Sequence, residues 1–277
     1  MLEHTTPTET AIPSVRLIEW DQPLKWLALG WKDMAQHPFW SLIHGVLIAL
    51  TGWLITALAH DQFWLLVGAI SGFMVVAPVL ATSLYAISRA LEHQETVNGA
   101  LMVRTWLAWS QQPAQTPTPD RCLVIFGLLL SLAATGWVLT SSALITLLTN
   151  HPIQTPMDFI HHVVLAPKGF LFEIWLAVGG MMAAPIFASS VVSIPMLLDK
   201  QVSVMQATMT SWKVVISHPI ILAFWAFLIM VFSLLGVLSL FLGLVFVVPM
   251  LGHASWHAYK DLVDSDAWPD RFPEGPR

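Results

Sequence analysis

Long apolar runs separated by short polar clusters organise the whole chain. About 20 apolar residues are needed for a helix to cross about 30 Å of hydrocarbon, and several runs reach that length. The first predicted span covers 38–59 and ends at His60-Asp61-Gln62. The second covers 63–88, after which Arg89, Glu92 and Glu95 open a polar stretch that continues through Gln115-Thr-Pro-Thr-Pro119. The third covers 122–148 and gives way to a loop from Asn150 to Pro156. The fourth covers 169–198 and stops at Asp199-Lys200. From Pro219 onward no acid, Lys or Arg occurs before Lys260. That stretch is too long for one span and long enough for two. A turn near Gly236 to Ser239 divides it into 219–236 and 239–260; the alternative is one long tilted helix. The predicted fold is therefore an all-α membrane protein. A single six-helix membrane domain occupies 16–265, after a disordered lead over 1–15 and before a cytoplasmic tail over 266–277. Residues 1–15 are rich in Thr, Glu and Pro and lack a basic segment before an apolar core. The first span is thus expected to act as an uncleaved signal anchor.

Composition agrees with a lipid environment. Of 277 residues, 56% are hydrophobic and 10% charged, whereas soluble domains carry about 25% charged residues. Mean hydropathy is +0.69. The net charge of -5 argues against a nucleic-acid partner, which requires a basic surface. The single cysteine, Cys122, excludes an intrachain disulfide and a cysteine-based zinc or iron–sulfur centre.

Charge placement sets the expected orientation. Positive residues collect on the cytoplasmic side of membrane proteins. Arg16, Lys25, Lys32, Arg89, Arg104, Arg121, Lys200, Lys213, Lys260, Arg271 and Arg277 fall on one side of the six-span arrangement, and only Lys168 on the other. Both termini are then cytoplasmic. The fourteen Trp fit the same picture. Trp31, Trp40, Trp64, Trp106, Trp109, Trp212 and Trp256 lie near span ends, where indole rings sit at headgroup level.

An internal repeat underlies the pattern. Trp31-Lys32 precedes His37-Pro38, and Trp212-Lys213 precedes His218-Pro219 at identical spacing. Trp106 precedes Pro113 by the same seven residues. Each later helix carries a glycine six residues before a proline: Gly72 and Pro78, Gly179 and Pro185, Gly243 and Pro249. Arg89 and Lys260 follow the first and third of these prolines by eleven positions. We read three units, each an interfacial helix, a helix out and a proline-bearing helix back. All enter from one side, so the repeats are parallel, unlike inverted repeats. Leu24, Leu27, Trp31 and Met34 share one helical face, and Met205, Met209, Trp212 and Ile216 another, as expected of amphipathic helices lying in the interface.

The runs His37-Pro-Phe-Trp-Ser-Leu42, Ala77-Pro-Val-Leu-Ala-Thr-Ser-Leu-Tyr-Ala-Ile-Ser-Arg89 and Pro249-Met-Leu-Gly-His-Ala-Ser-Trp-His-Ala-Tyr-Lys-Asp-Leu-Val263 resemble an uncharacterised bacterial integral-membrane family, domain of unknown function 2189. The resemblance extends over roughly residues 20–265, with the last run its most specific part. It implies bacterial origin and a membrane location and carries no activity, substrate or cofactor.

Candidate chemistry is sparse. His253 and His257 are four apart on one helical face, a metal-ligand spacing. His44 lies about 9 Å inside Pro38 at 1.5 Å per residue, and His253 lies at a similar depth. With Tyr85 they define a candidate inner-leaflet polar layer. Ionisable groups at such depth are costly and point to function; equally, neutral His can hydrogen-bond across helices. Asp158, His161, His162 and Glu173 form a candidate external polar cluster. Pro78, Pro185, Pro195 and Pro249 are candidate helix kinks, and Gly68 and Gly72 suit close helix packing. No Walker A, His-Glu-x-x-His or Gly-x-Ser-x-Gly sequence occurs, which makes an enzyme the least supported class. No cofactor is predicted, although haem or a metal on His44, His253 and His257 would give a redox accessory protein. The leading expectation is a non-enzymatic membrane assembly or organising component. A small-solute transporter or channel using proline-kinked helices is the alternative. Expected partners are the bilayer, other membrane proteins or a second copy.

Overall fold

The computed structural model describes residues 12–59, 82–107, 122–149, 151–166 and 170–271. The described chain is mostly helical. Its helices are α1 (Gln22–Gln36), α2 (Pro38–Ala59), α3 (82–92), α4 (Gly99–Leu107), α5 (Cys122–Leu148), α6 (Pro156–Phe159), α7 (Leu171–Ser190), α8 (Ser193–Asp199), α9 (Val204–Ser217), α10 (Pro219–Leu238) and α11 (Leu244–Leu262). A π-helical turn, Ile160–Val164, follows α6. Two short strands, β1 (Ser14–Val15) and β2 (Val263–Asp264), pair antiparallel.

Four of these are long and apolar enough to cross a membrane: α2, α5, α7 continued by α8, and α10. α2 and α5 coincide with the first and third expected spans. Most of the second, 63–88, lies outside the described residues, as do Pro78, Gly68 and Gly72. The fourth is not one helix. It breaks at Val191–Val192, and Pro195 sits in the first turn of α8 rather than inside a continuous span. Pro185 and Pro249 do lie within helices. The chain reverses at 239–243, three residues later than the expected turn at its start. α11 falls short of a span by composition, because its second half carries His253, Ser255, His257 and Lys260.

The two His-Pro junctions are local copies of one another. His37 closes α1 with φ/ψ of -130°/64° and its N–H on Asp33 O. His218 closes α9 with -132°/54° and its N–H on Val214 O. Each is followed by proline in the first turn of a long helix, where the missing N–H has no intrahelical partner to lose. Ser203 starts α9 with a capping box. Its hydroxyl accepts from the Gln206 N–H, and the Gln206 side chain accepts from the Ser203 N–H.

Short helices pack on longer ones. α4 packs on α3, with Met102 against Leu84 and Ile87. α9 packs on α7 and α8, where Ser211 Oγ accepts from the Val192 N–H at 3.4 Å and Trp212 Nε1 donates to Ser189 at 2.9 Å. α1 packs on α11, with Trp26 Nε1 donating to Asp261 at 2.7 Å. The core sits where the ends of α3, α8 and α11 converge. Residues 82–90 and 192–200 are buried throughout, together with Trp256, Tyr259 and Leu262.

Three features go beyond the sequence expectations. The buried face of α1 is Trp26, Gly30, Asp33 and Met34, while Leu24 and Trp31 are exposed. A Cβ on Gly30 would meet Ala254 N at 2.7 Å, so α1 is set by backbone contact with α11, which an amphipathic stripe does not foresee. Ser14 and Val15, placed in a disordered lead, form β1 against the end of α11. The tail beyond 265 folds back: Trp268 is buried, and Lys200 bridges to Asp270.

Candidate functional site

Two of the three candidate histidines, His253 and His257, fall into a buried chain of hydrogen bonds linking four helices. His257 Nε2 on α11 lies 2.8 Å from Asp33 Oδ2 on α1. Ser88 Oγ on α3 lies 2.7 Å from the same Asp33 oxygen and 2.8 Å from His253 Nδ1. His253 Nε2 lies 2.9 Å from Ser41 Oγ on α2. Ser41 and His253 are fully buried, and Ser88 and Asp33 nearly so.

Donor inventory fixes the direction of this chain. The carboxylate only accepts, so Ser88 and His257 both donate to Asp33. The Ser88 oxygen then accepts from His253 Nδ1–H, which leaves Nε2 to accept from Ser41. This tautomer follows from the network. The order of parts, Ser41 to His253 to Ser88 to Asp33, is that of a hydroxyl, a base and an orienting acid. Neither Ser41 nor His253 has exposed surface, so no substrate atom reaches them. The chain therefore crosslinks α1, α2, α3 and α11 and satisfies polar groups that would be costly to bury alone.

His44 is also buried, but its Nδ1 contacts the Trp40 carbonyl of its own helix at 2.8 Å. Tyr85 belongs to the apolar core cluster. His253 has both ring nitrogens engaged, and the Nε2 of His257 lies on Asp33. Among the described residues no three His, Cys, Asp or Glu side chains are grouped to hold a metal ion. Sequence reasoning missed Asp33, Ser41 and Ser88. Asp33 left one signal, an acid seven residues after Trp26 on the face that also holds Gly30.

Asp33 is affected by its surroundings in opposing ways. Burial acts to raise its pKa, but the hydrogen bonds from His257 and Ser88, with the fields of the His257 and His253 rings, outweigh that and lower it below the usual 3.8. A depressed carboxylate stabilises the fold above its unfolded value, and that contribution is lost as pH falls through the folded one. Thermal unfolding in detergent should thus show an acid-side loss of stability below pH 3.8 that is smaller in Asp33→Asn. Equal acid-side losses in the two proteins would show that Asp33 is not the responsible group.

A second polar centre lies where the ends of α3, α8 and α11 meet. Asp199 receives Arg89 Nε at 3.3 Å and the Tyr259 hydroxyl at 2.9 Å, with Lys260 Nζ at 4.0 Å. Ser265 Oγ lies 2.9 Å from the same tyrosine oxygen. Lys260 also pairs with Glu92 at 3.4 Å, and Trp256 Nε1 donates to Glu92 at 3.1 Å. Arg89 reaches Glu95 at 3.5 Å.

The expected external cluster has a local role. Asp158 accepts from the N–H groups of Gln154 and Thr155 at 3.1 and 2.9 Å, and Thr155 Oγ accepts from the Asp158 N–H. These bonds, that to Gln154 first, lower the Asp158 pKa. They cap α6. His162 stacks on His151 at 4.3 Å, while His161 and Glu173 are exposed.

Both polar centres sit at the edge of a known family's reach. Residues 65–199 match the family described as predicted integral membrane protein (DUF2189). The resemblance read from the sequence is borne out over those residues. The matched region includes α3, α4, α5, α7 and α8, together with Ser88, Arg89 and Asp199. It leaves out α1, α2 and α11, which supply Asp33, Ser41, His253 and His257. No curated protein and no solved structure compared with the chain matches it. The chain is thus similar to an integral-membrane family whose description names no activity.

Proposed function

We propose that this protein is a non-enzymatic scaffold of the bacterial inner membrane, with both termini cytoplasmic, that holds or organises other membrane components. It is built as three helical pairs entering from the cytoplasmic side, related by rotation about the membrane normal. The closed sequence of contacts, α4 on α3, α9 on α8 and α1 on α11, supports that arrangement, as does the near-identical geometry at His37 and His218. The short helices would lie at the cytoplasmic interface. Met205, Met209, Trp212 and Ile216 form an exposed apolar face on α9, while its opposite face packs on α8, as expected of a helix with lipid on one side.

The observation that carries the scaffold reading is the closed cytoplasmic end. Arg89 and Lys260 pair with Asp199, Glu92 and Glu95, and Tyr259 donates to Asp199, where α3, α8 and α11 meet. A transport route along that axis would need this cluster to open. The apolar outer faces of α2, α5 and α10 are instead exposed along their length and are free to meet lipid or other membrane helices.

Purified protein in sealed liposomes tests the choice. The scaffold reading expects vesicles that stay tight to protons and to small neutral and charged solutes. A saturable flux abolished by Asp199→Asn or Pro249→Ala would overturn it in favour of a transporter. In cells, deletion should lower the abundance of particular membrane proteins, read by quantitative proteomics of isolated membranes. An unchanged membrane proteome would also count against the scaffold.

A further inference from the structure

The turn between α10 and α11 has the wrong surface for water. Leu238, Leu240 and Leu242 are 69%, 72% and 55% exposed, flanked by exposed Leu234, Leu235 and Phe246. Ser239 is its one polar side chain between Leu234 and Phe246. Turns facing water favour Gly, Pro, Asn, Asp and Ser, which bond their own backbone or water. This segment places bulky aliphatic and aromatic residues at the bend, and Leu240 and Phe241 hold positive φ of 55° and 67°.

Apart from the Leu240 N–H, its backbone N–H groups are satisfied without solvent. Ser239 N–H donates to Leu235 O, Phe241 N–H to Val237 O, Leu242 N–H to Ser239 O, Leu244 N–H to Phe241 O and Val245 N–H to Leu242 O. Gly243 N–H donates to Ser239 Oγ at 2.8 Å, and that hydroxyl donates to Gly236 O at 2.8 Å. Trp53 Nε1 on α2 donates to Leu240 O. Internal pairing of this kind is required in hydrocarbon, where an unmet amide costs several kcal/mol, and is unnecessary in water.

Depth points the same way. The turn packs on Gly52, with the Phe241 ring 2.7 Å from where a Cβ would stand. α2 continues to Ala59, roughly 10 Å further at 1.5 Å per residue. At the other end Trp225 packs edge-to-face on Trp26 at 5.5 Å, and Trp26 binds Asp261, so Trp225 is level with the charged end. From Trp225 to Leu238 the helix rises about 20 Å, short of the roughly 30 Å hydrocarbon core. On the return, only Leu244 to Gly252 precede His253, an apolar length of about 13 Å.

We infer that α10 and α11 form a re-entrant hairpin whose bend stays inside the bilayer, with lipid acyl chains of the outer leaflet as the occupant of its exposed apolar tip. The inference rests on the membrane orientation proposed above. It replaces the last pair of full spans with a hairpin that enters and leaves on the cytoplasmic side.

Single cysteines test it in the full chain carrying Cys122→Ser. Leu240→Cys and Leu242→Cys probe the tip, Gln154→Cys an external position, and Asp266→Cys a cytoplasmic one. Intact cells receive a membrane-impermeant maleimide, and nitroxide-labelled protein in phosphatidylcholine vesicles is read for collisions with oxygen and with a water-soluble nickel chelate. The expected result is labelling at Gln154→Cys alone, loss of labelling at both tip positions, and tip nitroxides reached by oxygen but not by nickel. Tip labelling equal to that of Gln154→Cys would overturn the inference and leave a surface turn. Tip nitroxides shielded from both oxygen and nickel would overturn it in favour of a protein contact, such as a second copy. Labelling at Asp266→Cys instead of Gln154→Cys would refute the proposed orientation, while the oxygen and nickel readings would still judge the tip.

Discussion

Asp199→Ala is expected to lower the unfolding temperature of the detergent-solubilised protein by roughly 10 °C, the largest effect of any single charge removal. Asp199 and Arg89 have side-chain exposures of 2% and 8%. Removing one member of a buried pair costs about 3–5 kcal/mol, and the half-exposed Glu95, 3.5 Å from Arg89, compensates that charge only in part. For a chain of this size about 2–4 °C accompanies each kcal/mol. Asp199 joins α3, α8 and α11. It ends α8, takes Arg89 from α3 and takes Tyr259 and Lys260 from α11, and its backbone carbonyl accepts from Arg271 N–H at 2.8 Å. Tyr259→Phe removes the hydroxyl's bonds to Asp199 and Ser265 but no charge, and should cost less, about 1.5–3 kcal/mol. Asp199→Asn keeps an acceptor for Tyr259 but loses the charge that faces Arg89, so it should fall between the two. An Asp199→Ala protein as stable as the parent would show that the cluster does not hold α3, α8 and α11 together.

The difference between what the sequence reveals and what it conceals follows from the range of each signal. α2 and α5 are legible because a span is a local property, a run of apolar residues of fixed length. The reversal at 239–243 is placed within a few residues because Gly and Ser interrupt an otherwise unbroken run. α11 is over-read as a span. Its first half is as apolar as one, but its second half is buried among α1, α2 and α3, and burial in protein is not distinguishable from burial in lipid by hydropathy alone. The same ambiguity hides the site. Periodicity brings His253 and His257 to one face, whereas their partners Asp33, Ser41 and Ser88 come from three other helices. A serine in an apolar helix looks the same whether it bonds a carbonyl of its own helix, as Ser255 does to Leu251, or a histidine across the fold. Asp199 reads as the polar stop after a span, and only the convergence of three helix ends reveals it as a centre.

Glycine substitutions at the α11 contacts should have the opposite sign to those on the outer helices, and the contrast tests the packing directly. A Cβ on Gly45 would run into the carbonyl of Val245 and stand 2.6 Å from its Cα. On Gly30 it would stand 2.5 Å from Met250 O and 2.7 Å from Ala254 N. The obstacles are backbone atoms of α11, which no rotamer change relieves, so each helix must move away. Overpacking of this kind costs about 1–3 kcal/mol, occasionally more. Alanine is otherwise the better helix former by about 1 kcal/mol, so a net loss means the clash outweighs the propensity. On α5 and α7, a Cβ added to Gly136 or Gly180 would have nothing within 4 Å of it, and alanine there meets no obstacle. We expect Gly45→Ala and Gly30→Ala to lower the unfolding temperature by several degrees, with the double variant worse than either, because both separate α11 from the helices beside it. Gly136→Ala and Gly180→Ala should leave it unchanged or raise it. Separating α11 from α1 and α2 also stretches the chain from Ser41 through His253 to Asp33, so the acid-side loss assigned to Asp33 should shrink in Gly45→Ala. If all four variants moved in the same direction, backbone propensity rather than helix contact would govern them, and the close approach of α1 and α2 to α11 would be refuted.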